Sequence, residues 1–178
     1  GSASFTFKLI LEGLRDFGGA LSPTNAFQII QGLETLDIRI KKHSETALAL
    51  ATWLQNQEEV AWVNYPGLPS SDYKSLSDKY LPNGQSGLVT FGAKGGYEAA
   101  KAIADHSKLF SLLANIGDTK SLIIHPASTT HQQLPEEAQE KAGVTGDLIR
   151  LSVGLENLED LKQDLIEAFS HIPKEVLV

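Results

Sequence analysis

The sequence predicts an α+β layer fold in which short strands alternate with helices that cover one face of a sheet. Three observations carry this. A helical period opens at Ser22-Pro23 and runs past residue 50. Short apolar runs bounded by Gly, Pro or Asn follow it. Between and after those runs lie segments with helix caps or a helical stripe. No internal repeat, low-complexity segment or linker divides the 178 residues, a length that suits one domain with a single core.

The elements follow in order. Residues 3–21 hold scattered apolar positions (Phe5, Phe7, Leu9, Leu11, Leu14, Phe17) and then Gly18-Gly19, which reads as an entry segment continuing from something upstream. Ser22 is an N-cap and Pro23 occupies the first helical position, where its missing N–H costs nothing. Phe27, Ile30, Leu33, Leu36 and Ile40, then Ala47, Leu48, Ala51 and Leu54, continue a helix to about Gln57. That length exceeds the usual globular range and leaves room for a break or kink. Val60–Tyr65 alternates and ends at Pro66-Gly67, a strand and a turn. A short helix covers Asp72–Lys79, and Gly87–Phe91 is the next strand. Gly95-Gly96 leads into a helix from Tyr97 to about Asp105, with Ala100, Ile103 and Ala104 inward. Leu109–Ala114 reads as a third strand and Ser121–Ile124 as a fourth. Residues 125–146 form a long loop with a small helix over Pro135–Lys141. Leu148–Val153 is the last strand. Asn157 caps the final helix, with Glu159 and Asp160 in its first turn and Leu158, Leu161, Leu165 and Phe169 on its apolar face.

Composition excludes several classes of function. The chain is 42% hydrophobic and 21% charged, ordinary for a globular protein. Its net charge of -7 disfavours nucleic acid and anionic membrane surfaces as partners. No apolar run approaches the roughly 20 residues of a membrane span, and no secretory leader is recognisable. Cysteine is absent, which removes disulfides and thiol catalysis and fits a reducing cytoplasm. Methionine is absent too, even at position 1. Gly1-Ser2 therefore reads as a tag remnant, and the chain as an expressed piece of a longer protein.

Two places could carry chemistry. Arg150 sits inside an apolar strand, where alternation puts Leu148, Arg150 and Ser152 on one face and Ile149, Leu151 and Val153 on the other. It is a structural ion pair with one of the 22 acidic residues, an arginine on a solvated face, or a fork for a ligand carboxylate. Asn115–His131 joins a glycine turn, a short strand and a polar loop, which reads either as a capped surface loop or as a functional one. Its two histidines have no acidic residue between them, so no metal is expected. Gly18-Gly19 and Gly95-Gly96 lack the spacing of phosphate loops, and Glu136, Glu137 and Glu140 form a solvated helix face.

Taken together, three blocks resemble the Cys/Met-metabolism family of pyridoxal-phosphate enzymes. The first is Phe17–Phe27, continued by Gln31–Leu36, Arg39 and His43. The second is Asn115–His131. The third is Ile149–Glu156, followed by Asp160-Leu161 and Asp164-Leu165. Asn115-Ile116-Gly117 and Lys120 stand where other branches carry Ser-Leu-Gly and Glu, which is similar to the O-acetylhomoserine sulfhydrylase branch. The resemblance implies the small C-terminal domain of the aspartate-aminotransferase type (fold type I), with a mostly antiparallel sheet, over residues 22–178. Residues 3–21 would run along the large domain and, alone, be mobile or pair with another copy.

The resemblance also implies the site. Arg150 would hold the substrate α-carboxylate. Ser121 would act in catalysis beside the cofactor-bearing lysine and, with Leu122 and Asn115, contact the substrate. Asn115–Lys120 and Thr129–His131 would shape the mouth. The implied reaction takes O-acetylhomoserine and sulfide to homocysteine and acetate; cystathionine γ-synthase, methionine γ-lyase or a non-catalytic module are the alternatives. The lysine, phosphate-binding residues and ring-stacking aromatic belong to an upstream domain, and Lys8 lacks the expected Ser/Thr-rich context. Pyridoxal phosphate is thus expected in the full-length enzyme, a cytoplasmic homotetramer, while this chain alone neither binds it tightly nor turns over substrate.

Overall fold

Strand alternation sorts the sheet into two faces. In β5 (Leu148–Ser152), Ile149 and Leu151 are fully buried while Leu148 and Arg150 are half-buried. In β2 (Leu88–Ala93), Val89 and Phe91 are buried and Leu88 and Thr90 are half-buried. The two strands pair antiparallel, with Val89 opposite Leu151 and Thr90 opposite Arg150. β1 (Val60–Asn64) and β4 (Leu122–Ile124) complete the antiparallel part, and β3 (Ser111–Leu112) adds a parallel edge, giving the order β1-β2-β5-β4-β3. The α+β reading and its mostly antiparallel sheet stand.

The computed structural model describes residues 3–176, so Gly1 and Ser2, read as a tag remnant, lie outside the described residues. Contacts divide these residues into two units, one up to Asp37 and one from Ile38 onward. In the first, α1 (Ala3–Lys8), a π-helical stretch (Leu9–Leu14) and α2 (Arg15–Phe17) follow without interruption. Gly18 ends them in the left-handed region (φ 66°), a conformation that suits glycine. Then α3 (Pro23–Glu34) starts under its N-cap, where the Ser22 hydroxyl accepts from the Asn25 N–H at 3.1 Å. None of these helices buries a residue within this structure, and Phe17 is 89% exposed. No element was predicted over residues 3–17, although Phe7, Ile10, Leu11, Leu14 and Phe17 recur at helical spacing.

The helical period from Ser22 is interrupted once. At Thr35 the backbone (φ -112°, ψ 7°) leaves the helical region, and α4 (Leu36–Leu54) begins after it. In the second unit α4 buries Ala47, Leu50, Ala51 and Leu54. They share one core with Ala100 and Ile103 of α6 (Gly96–His106) and with Leu161 and Leu165 of α8 (Leu158–Phe169). Val89, Phe91, Ile149 and Leu151 of the sheet belong to the same core. Each fully buried Leu, Ile or Phe contributes roughly 1.5–3 kcal/mol of transfer free energy. The caps behave as read: the Asn157 side chain accepts from the Glu159 N–H at 2.8 Å. The remaining helices are α5 (Lys74–Tyr80) and α7 (Glu136–Lys141), and no helix among the described residues is long and apolar enough to cross a membrane.

One strand is shorter than predicted. The run Leu109–Ala114 yields only Ser111–Leu112. Asp164 of α8 explains part of this, because its carboxylate accepts from the backbone N–H of Lys108 (2.8 Å) and of Phe110 (3.1 Å). Those donors are thereby withdrawn from strand pairing, and Phe110 turns into the core.

Tyr65 closes the strand-end turn from inside. Its ring is fully buried and its hydroxyl donates to the Ser86 carbonyl at 2.8 Å. Burial pushes its pKa up to about 12. The unfolded phenol ionises near pH 10, so the folded state holds the proton more tightly. Stability is therefore complete below about pH 10 and falls as pH rises towards 12. Thermal unfolding from pH 9 to 12 should show this loss, and Tyr65→Phe should flatten it; an unchanged slope in the variant would assign the loss to other groups.

Candidate functional site

Arg150 lies at the middle of β5, with Thr90 opposite on β2 and Ile124 opposite on β4. Its neighbours Ile149 and Leu151 fix its direction by filling the core on the other face. The side chain is half-buried, yet among the described residues its guanidinium makes no ion pair and no hydrogen bond. The surface cations behave differently: Lys108 meets Glu167 and Lys162 meets Glu159. A guanidinium carries five donors, and leaving them unpaired away from bulk water is unfavourable. Of the sequence readings of Arg150, the ion pair is absent among the described residues, and the solvated face and the ligand fork remain. The arrangement can take an external carboxylate in a planar two-point contact.

Ser121, at the start of β4, is 0% exposed and fully hydrogen-bonded within the chain. Its N–H donates to Glu156 Oε1 at 2.8 Å and its hydroxyl donates to Glu156 Oε2 at 2.7 Å. The same hydroxyl accepts from the Gly154 N–H at 2.7 Å. One carboxylate thus grips both donors of Ser121, and the turn after β5 is tied to the start of β4. The Leu155 N–H donates to the Thr119 carbonyl at 2.9 Å and completes the tie. Leu122 follows, buried, opposite Ser152.

Asn115 stands on an exposed loop held by its own backbone. Its side-chain oxygen accepts from the Ile116 N–H at 2.9 Å, and Gly117 turns in the left-handed region (φ 75°). Asp118 accepts from the Lys120 N–H at 3.0 Å. That bond is the main reason its carboxyl sits below the usual range, with Asn115 adding a further hydrogen bond. The loop therefore has a defined shape before any ligand arrives.

The polar residues after β4 mostly serve structure. His125 is buried; its ring faces the Gly146 carbonyl through Nε2 at 2.7 Å and the Ser128 hydroxyl through Nδ1 at 2.8 Å. A carbonyl only accepts, so the proton is on Nε2 and Nδ1 accepts from Ser128. Burial lowers the His125 pKa, which favours this neutral form. Thr129 donates to the His125 carbonyl at 2.7 Å, and Thr130 pairs with His131 Nδ1 at 2.8 Å. Among the described residues no three His, Cys, Asp or Glu side chains converge as a metal site.

A cavity of about 190 Å³ lies at the end of the sheet where β5 finishes and β2 begins. Ser152 and Leu88 line it from the strands, Ile116 and Gly117 from the loop, and Ile40 and His43 from α4. No lysine lines it, so nothing in its wall would form the Schiff-base link to pyridoxal phosphate. Reasoning from sequence gave no separate role to His43 or Glu156, although both lie in the blocks that carry the resemblance. The pairing of Glu156 with Ser121 spans 35 positions and joins two strand ends, so no local period signals it.

Residues 4–170 match the family model for the Cys/Met metabolism PLP-dependent enzymes. The chain is 51% identical over 170 residues to O-acetyl-L-homoserine sulfhydrylase 1 of Thermus thermophilus, covering 96% of this chain and 40% of that protein. It is 53% identical to O-acetyl-L-homoserine sulfhydrylase of Leptospira meyeri, covering 95% and 38%. Homocysteine synthase of Schizosaccharomyces pombe is 45% identical, with 94% and 39% covered. A crystal structure described as an O-acetylhomoserine (thiol)-lyase from Campylobacter jejuni, holding N'-pyridoxyl-lysine-5'-monophosphate, superposes with a TM-score of 0.84 at 51% identity. That match covers 93% of this chain and 39% of that one. The chain thus spans about 40% of the length of the curated relatives it matches.

Proposed function

The chain belongs to the Cys/Met-metabolism family of pyridoxal-phosphate-dependent enzymes, and we propose that it forms the substrate-carboxylate side of an O-acetylhomoserine sulfhydrylase. The observation that carries this reading is Arg150: half-buried, central in the sheet, and without an internal partner among the described residues. An α-amino-acid substrate brings the missing anion. A two-point contact would fix the plane of its carboxylate and hence the direction of its Cα–H bond. Asn115 lies on the exposed, self-bonded loop and would meet the substrate from the other side. Ser121 would act by position, since Glu156 and Gly154 occupy its hydrogen bonds; Leu122 would pack behind it.

In the full-length enzyme the reaction would be replacement at the γ-carbon: acetate leaves O-acetylhomoserine and sulfide enters, giving homocysteine. Pyridoxal phosphate, which the family uses, serves as the electron sink and would be held by a lysine-bearing domain outside this chain. The present residues would bind and orient the amino acid. The reading extends to the small C-terminal domain of fold type I and to a homotetramer with sites at dimer interfaces.

The test is an assay of the full-length enzyme with O-acetylhomoserine plus sulfide, with cystathionine, and with methionine. Fastest turnover of the first supports the sulfhydrylase. Preference for cystathionine or methionine would move the protein to another branch of the family, and inactivity on all three would favour a non-catalytic module.

A further inference from the structure

Between α5 and β2 the chain crosses α4 as Gly84-Gln85-Ser86-Gly87, with Gly84 against Ser44 and Gly87 against His43. Ser86 holds φ 85°, the one positive φ outside glycine among the described residues. A residue with a Cβ adopts that conformation only at a cost. A second cost lies at the same crossing. The Ser44 hydroxyl, 2.8 Å from where a methyl group on Gly84 would sit, is buried and has no hydrogen-bond partner.

Two hydrogen bonds hold Ser86 where it is. The Tyr65 hydroxyl donates to its carbonyl at 2.8 Å, and its own hydroxyl accepts from the Leu88 N–H at 3.1 Å. Tyr65 is fully buried, so its hydroxyl cannot turn to solvent. It has a second acceptor in reach, the Ser44 carbonyl at 3.3 Å. A phenol has one proton to give, so releasing Ser86 leaves Tyr65 free to donate to Ser44 and strands no buried donor. Ser86, Gly87 and Leu88 also line the cavity of about 190 Å³, together with Ile116 and Gly117.

We propose that Gly84–Gly87 is a strap with two positions at the rim of this cavity. In the present one it is latched by Tyr65. In the other, Ser86 returns to negative φ, water reaches the Ser44 hydroxyl, and Tyr65 donates to the Ser44 carbonyl. The closed position gains the two bonds to Ser86; the open one sheds the strain and hydrates a buried hydroxyl. Opposed costs of this kind make a local element that opens without unfolding the core. Opening widens the cavity beside Ser152 and Val153, where β5 ends. The inference stands apart from the reaction proposed above, since it needs only the strap, α4 and Tyr65.

The test is amide hydrogen exchange of the chain in low denaturant, read at Leu88, whose N–H is held by Ser86, and at Ile149 and Leu151 in the core strand. Leu88 is expected to exchange through an opening that denaturant does not accelerate, and Ile149 and Leu151 through one that it does. Ser86→Asn tolerates the positive φ and keeps an acceptor for the Leu88 N–H, so it should slow Leu88 exchange by about threefold. Ser86→Val, β-branched, should speed it by at least as much. Tyr65→Phe leaves the Ser86 carbonyl without its donor in the closed position only, and should speed it roughly fivefold. Ser86 is exposed, so its two variants decide if Tyr65→Phe does not fold. Exchange at Leu88 that rises with denaturant in step with Ile149 and Leu151 overturns the strap. Equal Leu88 exchange in Ser86→Asn and Ser86→Val overturns it as well.

Discussion

Arg150→Ala in the full-length enzyme is expected to lower kcat/KM for the amino-acid substrate by about 10²–10³-fold while leaving the unfolding temperature of the protein nearly unchanged. Both halves follow from the same geometry. Removing one partner of a desolvated, hydrogen-bonded charge pair typically costs about 2–5 kcal/mol, which corresponds to this range of rates. In the structure the guanidinium has no ion pair among the described residues. On the proposed reading, deleting the side chain would therefore remove ligand binding and no internal ion pair or hydrogen bond. It also relieves a half-buried charge, so a small gain in stability is in range. Arg150→Lys should recover only part of the loss, because an ammonium cannot reproduce the planar fork. Steady-state kinetics and thermal unfolding together decide the matter. A large drop in unfolding temperature with unchanged KM would make Arg150 a structural residue.

Arg150 shows which features the sequence makes legible. A charged residue inside an apolar strand is visible by alternation alone, and its face followed correctly from Ile149 and Leu151. Composition could not decide between an ion pair, a solvated face and a ligand fork; excluding the first needed the positions of the acidic residues in space. Strand and helix identities were readable where burial is one-sided, as in β2, β5, α6 and α8. They were hidden where long-range bonds override local pattern. Asp164 takes the N–H groups of Lys108 and Phe110 and so removes residues from a predicted strand. The helical stretch Ala3–Phe17 was legible but missed: Phe7, Ile10, Leu11, Leu14 and Phe17 recur at three- and four-residue spacing, although the stretch buries nothing within this structure. Within the site, Ser121 was visible as a residue but its grip by Glu156 was not. The same holds for His43, whose bond to the Val153 carbonyl spans 110 positions.

The tie between the two strand ends yields the second large effect, on stability. A methyl group on Gly154 would lie 2.5 Å from the Thr119 carbonyl oxygen, 2.6 Å from the Lys120 carbonyl carbon and 2.5 Å from Glu156 Oε2. The first two are backbone atoms held by the Leu155-to-Thr119 hydrogen bond, so they cannot give way as a flexible side chain can. Gly154→Ala is therefore expected to destabilise the chain by about 3 kcal/mol, at the upper end of ordinary overpacking, and to lower its unfolding temperature by roughly 6–12 °C. Combining it with Glu156→Ala separates the causes. If the carboxylate were the obstacle, the double variant would recover stability. The backbone contacts predict no recovery, and further loss, because the N–H and hydroxyl of Ser121 then lose their acceptor. Any movement that accommodates the methyl must shift residues 119–121, which lead directly from the Asn115–Lys120 loop into β4. A weakened substrate KM should therefore accompany the loss of stability in Gly154→Ala, unlike Arg150→Ala, where binding fails and the fold does not. A Gly154→Ala protein within about 1 kcal/mol of its parent would show that the turn yields, and the tie between β4 and β5 would not be what holds the loop in place.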